Sequence, residues 1–463
     1  MNGILKTYGI GICAGTVLVS AALCVLPGSP AGFVISAYLA IHLLMALAGK
    51  RCRWADAGTV AVLMTAVTLS TVGVIWNINF FTQGGSLAAP LLENFDMELD
   101  WRHAMEYLDR RPITDPLHWR MFSWLIIAEC AVFGQNIAVP LMFNVLFYGL
   151  ALTAMGEVAY LATDDRRAAR FTVITGACMC YLMAQSMTLL KDVPVTLLMA
   201  IAALLMLGWN RRGGWPRAWS AAAMVLVIVL STFLRSTAGF MIAIGAVFFL
   251  FYTRDRRLQA AYIGVALISI VCFFWLPLNI ISTNLQEVLE NPTQSHMIFD
   301  HDNTRAWDVM MGSGEDGENL TLLRRLIWWP AAVVVQFLVP FPWNFLYHTN
   351  YGPSMALAHV AYPWYLAGAL IIYWLWTCAW RAPVRLRAIV NWGVALTLIT
   401  AFATTGRISR YCLPFLPLLL PAAGAVLAGC LRRRSLWIWL GVFVALMIPT
   451  LIICHHLQGR FMS

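Results

Sequence analysis

The chain has 463 residues, of which 60% are hydrophobic and only 11% charged, against about 45–50% and about 25% in an ordinary soluble chain. That gap excludes a cytosolic globular protein. The net charge of +9 comes from 31 Lys plus Arg against 22 Asp plus Glu; the cations stand in short clusters between apolar stretches, not interleaved with aromatics, so they read as membrane topology, with no nucleic-acid partner.

Spanning a hydrocarbon core of about 30 Å takes about 20 apolar residues, and thirteen such stretches predict an all-α polytopic membrane protein. The first, 9–27, follows Lys6 and could pass for a signal peptide, but no A-x-A site follows and a second stretch, 31–49, comes almost at once. A third runs from 58 to 76. The polar segment 77–118 is followed by two apolar stretches, 119–134 and 137–163. The first of these is short and carries Arg120 and Glu129, which suits a helix lying at the interface, whereas the second is long enough to span.

The remaining expected spans are 171–187, 193–210, 219–236, 237–253, 258–279, 361–381, 389–405, 412–430 and 435–454. Between them, the apolar stretch 326–345, which contains WWPAAVVVQFLVPFPWNF, holds Pro330, Pro340 and Pro342, which break a spanning helix and predict a partly re-entrant outer element. Six arginine-rich clusters then all fall inside: Lys50, Arg51, Arg53; Arg166, Arg167, Arg170; Arg211, Arg212, Arg217; Arg254, Arg256, Arg257; Arg381, Arg385, Arg387; and Arg432 to Arg434. Eleven cysteines lie mostly within apolar stretches and read as unpaired membrane-buried thiols. The chain reads as one membrane unit, 1–463, with two large outer segments, 77–136 and 280–360, that hold sixteen of the 22 acidic residues. Chemistry is therefore expected at the outer face.

The first outer loop reads ENFDMELDWRHAMEYLDRRPITDPLHWRMFSWLIIAECAVFG. A carboxylate soon after a span, a helical A-x-x-Y-L stretch, D-P-L-x-x-W and a short amphipathic helix ending in F-G together resemble the GT-C superfamily. Its members are polyprenyl-phosphate-sugar-dependent glycosyltransferases, including protein O-mannosyltransferases and aminoarabinose transferases of lipid A. The resemblance implies a GT-C-like fold, a bacterial inner membrane and a periplasmic-side active site. It also implies a polyprenyl-phosphate sugar donor, a lipid- or glycan-linked acceptor and surrounding membrane lipids as partners. Asp96 falls eight residues before Ala104, the family's spacing for its catalytic Asp. Two departures stand out: Met97 replaces the family's Glu, and Asp115-Pro116-Leu117 stands in for P-P-L, which leaves Asp100 as the alternative base.

Inverting transfer from a lipid-phosphate sugar needs a carboxylate to take the acceptor hydroxyl's proton on the side opposite the departing phosphate. The plain alternative for Asp96 and Asp100 is a solvated loop acid or helix cap. Within MTLLKDVPVTLL, Lys191 and Asp192 sit at the expected outer mouth between two spans. By the family's pattern Asp192 shapes the acceptor or metal site and Lys191 meets the phosphate; an interfacial anchor is the alternative.

A departing phosphate also needs fixed cations. Arg235 in STFLRSTAGF, with Arg407 and Arg410 in TTGRISRYCLPFLP, are outer-side arginines that defy the positive-inside trend; snorkelling to headgroups is the alternative. The last run looks like an R-Y-x-x-P segment of these transferases. Asp300-His301-Asp302 is formally a D-x-D and leaves a divalent metal open as cofactor. A rival reading, an O-antigen polymerase, also uses outer arginines and large outer loops. A lipid flippase would concentrate ionisable residues at mid-membrane, where this chain has few.

Overall fold

The computed structural model describes residues 2–26, 28–82, 95–111, 121–275, 329–330, 333, 360, 362–404 and 409–462. The described residues form helices and connecting turns, without strands. In chain order these are α1 (Asn2–Val25), α2 (Ala31–Arg51), α3 (Ala57–Thr82), α4 (Phe95–Leu108), α5 (Met121–Phe133), α6 (Ala138–Thr163), α7 (Arg166–Ala177), α8 (Cys180–Ser186) and α9 (Asp192–Arg212). They continue with α10 (Ala218–Leu234), α11 (Ser236–Tyr252), α12 (Arg256–Trp275), α13 (Tyr362–Tyr373), α14 (Val384–Thr404), α15 (Leu416–Cys430) and α16 (Arg434–Met462). Among the described residues nine helices are long and apolar enough to cross a membrane, and α5, α10 and α11 contain shorter apolar stretches. The described residues are thus all-helical, the architecture of a polytopic membrane protein.

Helix boundaries follow local chemistry. Asp56 caps α3 by accepting from the Thr59 backbone N–H at 2.8 Å, Asp165 caps α7 through Arg167 N–H at 2.8 Å, and Asp255 opens α12 through Arg257 N–H at 2.9 Å. After α9, Gly213 and Gly214 both take positive φ, 69° and 71°, which reverses the chain where a side chain would be strained.

The core is built around α6, whose buried residues face α3, α7, α9 and α15. Small residues set the closest approaches, as lipid-embedded helices require. Gly424 of α15 lies against Ala168 and Thr172 of α7, so a Cβ there would collide with the Ala168 carbonyl oxygen. Gly245 of α11 seats the indole of Trp392 from α14, whose Nε1–H donates to the Met241 carbonyl at 2.8 Å. At the periphery, α16 keeps Trp437, Ile438, Val442, Leu446 and Ile452 exposed, an apolar face for lipid.

Two expected spans differ in form. The stretch 171–187 is not one helix: α7 ends at Ala177, and after Cys178 and Met179 the short α8 begins. Residues 361–381 start as α13 but tighten and widen unevenly, through a π-helical turn at Trp374–Cys378 and a 3-10 turn at Ala379–Arg381. Hydropathy registers neither break, because both fall among apolar residues. The helix α5 falls within the expected 119–134, and α4 covers the helical WRHAMEYL. The second outer segment lies outside the described residues except at four positions, one of which, Trp329, donates from Nε1 to the Leu398 carbonyl of α14 at 2.9 Å.

Candidate functional site

All six arginine clusters come to one end of the bundle. Arg170 pairs with Asp56 at 2.9 Å and its Nε–H donates to the Trp54 carbonyl, while Trp54 Nε1–H donates to Glu157 at 3.0 Å. Asp164 receives both Arg211 at 2.9 Å and Arg385 at 2.8 Å, which joins the ends of α6, α9 and α14. Asp255 accepts from the Gly214 N–H, and the Tyr373 and Ser435 hydroxyls lie 2.9 Å apart, which brings in the last two clusters. The backbone N–H donors of Gly214 and Arg257 hold the Asp255 carboxyl below the ordinary carboxylate range.

The opposite end is polar in another way. Asp192 opens α9 and is buried, as the positive end of a helix dipole favours. It accepts a hydrogen bond from Arg235 Nη1 at 2.7 Å, with the two side chains 10% (Arg) and 2% (Asp) exposed. Arg235 occupies the single extended residue between α10 and α11, at φ −148° and ψ 109°. The joint therefore delivers a guanidinium to this end while the two helices run back into the bundle.

Carboxamides from neighbouring helices hold the chain that leads into Asp192. Asn144 Nδ2, near the start of α6, donates to the carbonyls of Thr188 at 2.6 Å and Leu190 at 3.2 Å. Asn77 Nδ2, near the end of α3, donates to the Met187 carbonyl at 2.8 Å. Ser186 Oγ completes the tether by donating to Ser70 Oγ at 3.0 Å. Lys191 is the residue just before α9 and is partly exposed.

The α4–α5 pair belongs to the same end. α4 follows the α3 terminus that carries Asn77, and α5 meets the start of α6 through the Phe133 and Phe143 rings, 5.4 Å apart. Asp100 of α4 is buried and accepts from Ser123 Oγ of α5 at 2.7 Å. The Tyr107 and Trp124 rings, edge to face at 5.1 Å, close the other side of this helix pair. On α5, Glu129 is buried and its Oε1 has no hydrogen-bond partner among the described residues, so desolvation pushes its carboxyl up to about 8.

The structure thus brings Asp192 and Arg235 into contact and sets Asp100 on the helix pair above the same bundle end. Asp96 falls within α4, but its side chain lies outside the described residues, as does that of Arg410, whose backbone is in the 3-10 turn Ser409–Phe415 packed on α9. Arg407 and the Asp300-His301-Asp302 run also lie outside them. Sequence reasoning passed over Asn77, Asn144 and Ser123. A carboxamide within an otherwise apolar span was the available signal, since a buried polar group in lipid requires a partner. No protein-family model matches the chain, and none of the curated proteins matches it either.

Proposed function

We propose that the protein is an integral membrane glycosyltransferase that moves a sugar from a polyprenyl-phosphate donor to a lipid- or glycan-linked acceptor. The reading includes thirteen crossings of a bacterial inner membrane: α1 to α3, α6, α7 with α8, α9 to α12, α13 with its two terminal turns, and α14 to α16. The arginine clusters then face the cytoplasm, by the positive-inside rule, and the site faces the periplasm.

One observation carries the reading: two buried carboxylates, Asp100 and Asp192, and the largely covered guanidinium of Arg235 gather at the bundle end opposite every arginine cluster. A flippase needs its ionisable groups along a path through the membrane, and these stand at one face. In the proposed reaction Asp96 or Asp100 takes the proton from the acceptor hydroxyl as that oxygen bonds to the anomeric carbon. The bond from this carbon to the phosphate oxygen breaks on the opposite side. Arg235, with Lys191, Arg407 and Arg410, stabilises the charge gathering on the released phosphate. Asp192 holds Arg235 in place until phosphate arrives.

The test is sugar transfer by the full chain in liposomes, with labelled polyprenyl-phosphate sugar supplied to one leaflet. Asp96→Asn and Asp100→Asn are the decisive variants. Loss of a base removes about 10²–10⁴-fold in rate, so one of the two is expected to fall by that much with donor binding retained. Full activity in both, with loss in Arg407→Ala, would turn the assignment to a polymerase. Movement of labelled lipid between leaflets without transfer would replace it with a flippase.

A further inference from the structure

At the arginine-rich end, the sulfurs of Cys378 and Cys430 lie 3.9 Å apart. They come from different helices: Cys378 closes the π-helical turn after α13, and Cys430 is the last residue of α15. A π-turn inserts one residue into the helical repeat and so swings every later side chain round the axis; such turns gather at functional positions. Here the residue it re-aims is the thiol that meets Cys430. Around the pair the geometry is well braced. Trp439 Nε1–H donates to the Ala369 carbonyl at 2.8 Å, the Tyr373 and Ser435 hydroxyls are bonded, and Arg433 N–H donates to the Cys430 carbonyl at 2.8 Å. α13, α15 and the start of α16 are therefore fixed relative to one another with the two thiols already facing.

The two sulfurs also differ in access. Cys378 is partly exposed, beside Trp376 and Trp380 that stand out from the bundle, whereas Cys430 is buried at 4% exposure. A small oxidant meets Cys378 first.

We propose that Cys378 and Cys430 form a peroxide-oxidisable dithiol, a modification site that closes to a disulfide and locks α13 to α15. The Cys378 sulfur attacks one oxygen of hydrogen peroxide, the O–O bond breaks, and a sulfenic acid forms at Cys378 while the departing hydroxide takes the thiol's proton and leaves as one water. The Cys430 thiol then attacks the sulfenic sulfur, the S–O bond breaks, and the departing hydroxyl takes the Cys430 proton to leave as a second water. Two thiols and one peroxide become one disulfide and two waters. An S–S bond of about 2.05 Å requires only a short closure from the observed separation. In a reducing cytoplasm the pair rests as thiols and the bond is transient.

The test uses the full chain purified in detergent under reducing conditions and then exposed to hydrogen peroxide. Peptide mapping without reductant is expected to find Cys378 joined to Cys430 as the main cross-link, reversed by dithiothreitol. The oxidised chain should melt at a higher temperature than the reduced one, a shift absent from Cys378→Ser. In Cys430→Ser, dimedone should trap a sulfenic acid at Cys378, while in Cys378→Ser the Cys430 thiol should survive. Free alkylation of both cysteines after peroxide overturns the proposal, as does preferential linkage of either to another cysteine such as Cys178 or Cys180.

Discussion

The Asp192–Arg235 pair is a charged contact almost wholly removed from water, and its energetics are lopsided. Removing one partner leaves the other charge buried alone, which costs about 3–5 kcal/mol. Asp192→Ala and Arg235→Leu are each expected to lower the melting temperature sharply in detergent, and the double variant Asp192→Ala/Arg235→Leu to recover part of the loss. Additive losses in this cycle would mean the pair does not interact as drawn. Glu129 makes a pH prediction of opposite character. Burial raises its carboxyl from 4.5 to about 8, so the folded chain retains a proton that the unfolded chain releases. Its contribution to stability is present below pH 4.5 and is lost as pH rises towards 8. Melting curves of Glu129→Gln should therefore gain on the wild type steadily between pH 5 and 8; a constant offset would place the carboxyl in water. Asp192 and Arg235 were legible as candidates from position alone, but nothing in their spacing of 43 residues announced that they bind each other.

Among the elements, the segment that departs most from its hydropathy is α7–α8. Apolar composition predicted one span, yet the helix stops at Ala177 and the following chain is tied down by Asn144 and Asn77. Three hydrogen bonds from Asn77 and Asn144 make the non-helical stretch 187–190 affordable in an apolar bundle, since its carbonyls find partners there. Asn144→Leu strips the Thr188 and Leu190 carbonyls of their donor, at about 1–3 kcal/mol for buried groups left unpaired. Transfer activity should fall further than the stability loss explains, because Asp192 follows directly. Protected thermal stability with wild-type activity would show the tether to be dispensable. Packing between α7 and α15 is the second element-scale case: Gly424→Ala drives a methyl into the Ala168 carbonyl, a backbone atom that cannot rotate away. Overpacking of this kind costs about 1–3 kcal/mol, which a lowered melting temperature would register.

For the whole molecule, the two ends of the bundle make opposite demands. One carries the arginine clusters, neutralised in part by Asp56 and Asp164; the other carries Asp100, Asp192 and Arg235. A cysteine introduced at Arg110, in the exposed turn after α4, should react with an impermeant thiol reagent added outside cells, and one at the exposed Arg212 only after permeabilisation. Labelling of the first from the cytoplasm alone would invert the proposed orientation and remove the site from the periplasm. Sequence by itself determined the membrane class, the separation of cation-rich turns from acid-rich segments, and most helix positions, because transfer of a residue into lipid depends chiefly on its own chemistry and that of its near neighbours. Only the tertiary structure decided the break between α7 and α8, the pairing of Asp192 with Arg235, the bond from Ser123 to Asp100 and the meeting of Cys378 with Cys430. Each of these depends on two segments distant in the chain arriving at one place, and in a bundle whose helices are nearly all apolar, hydropathy carries no record of which side chain faces which.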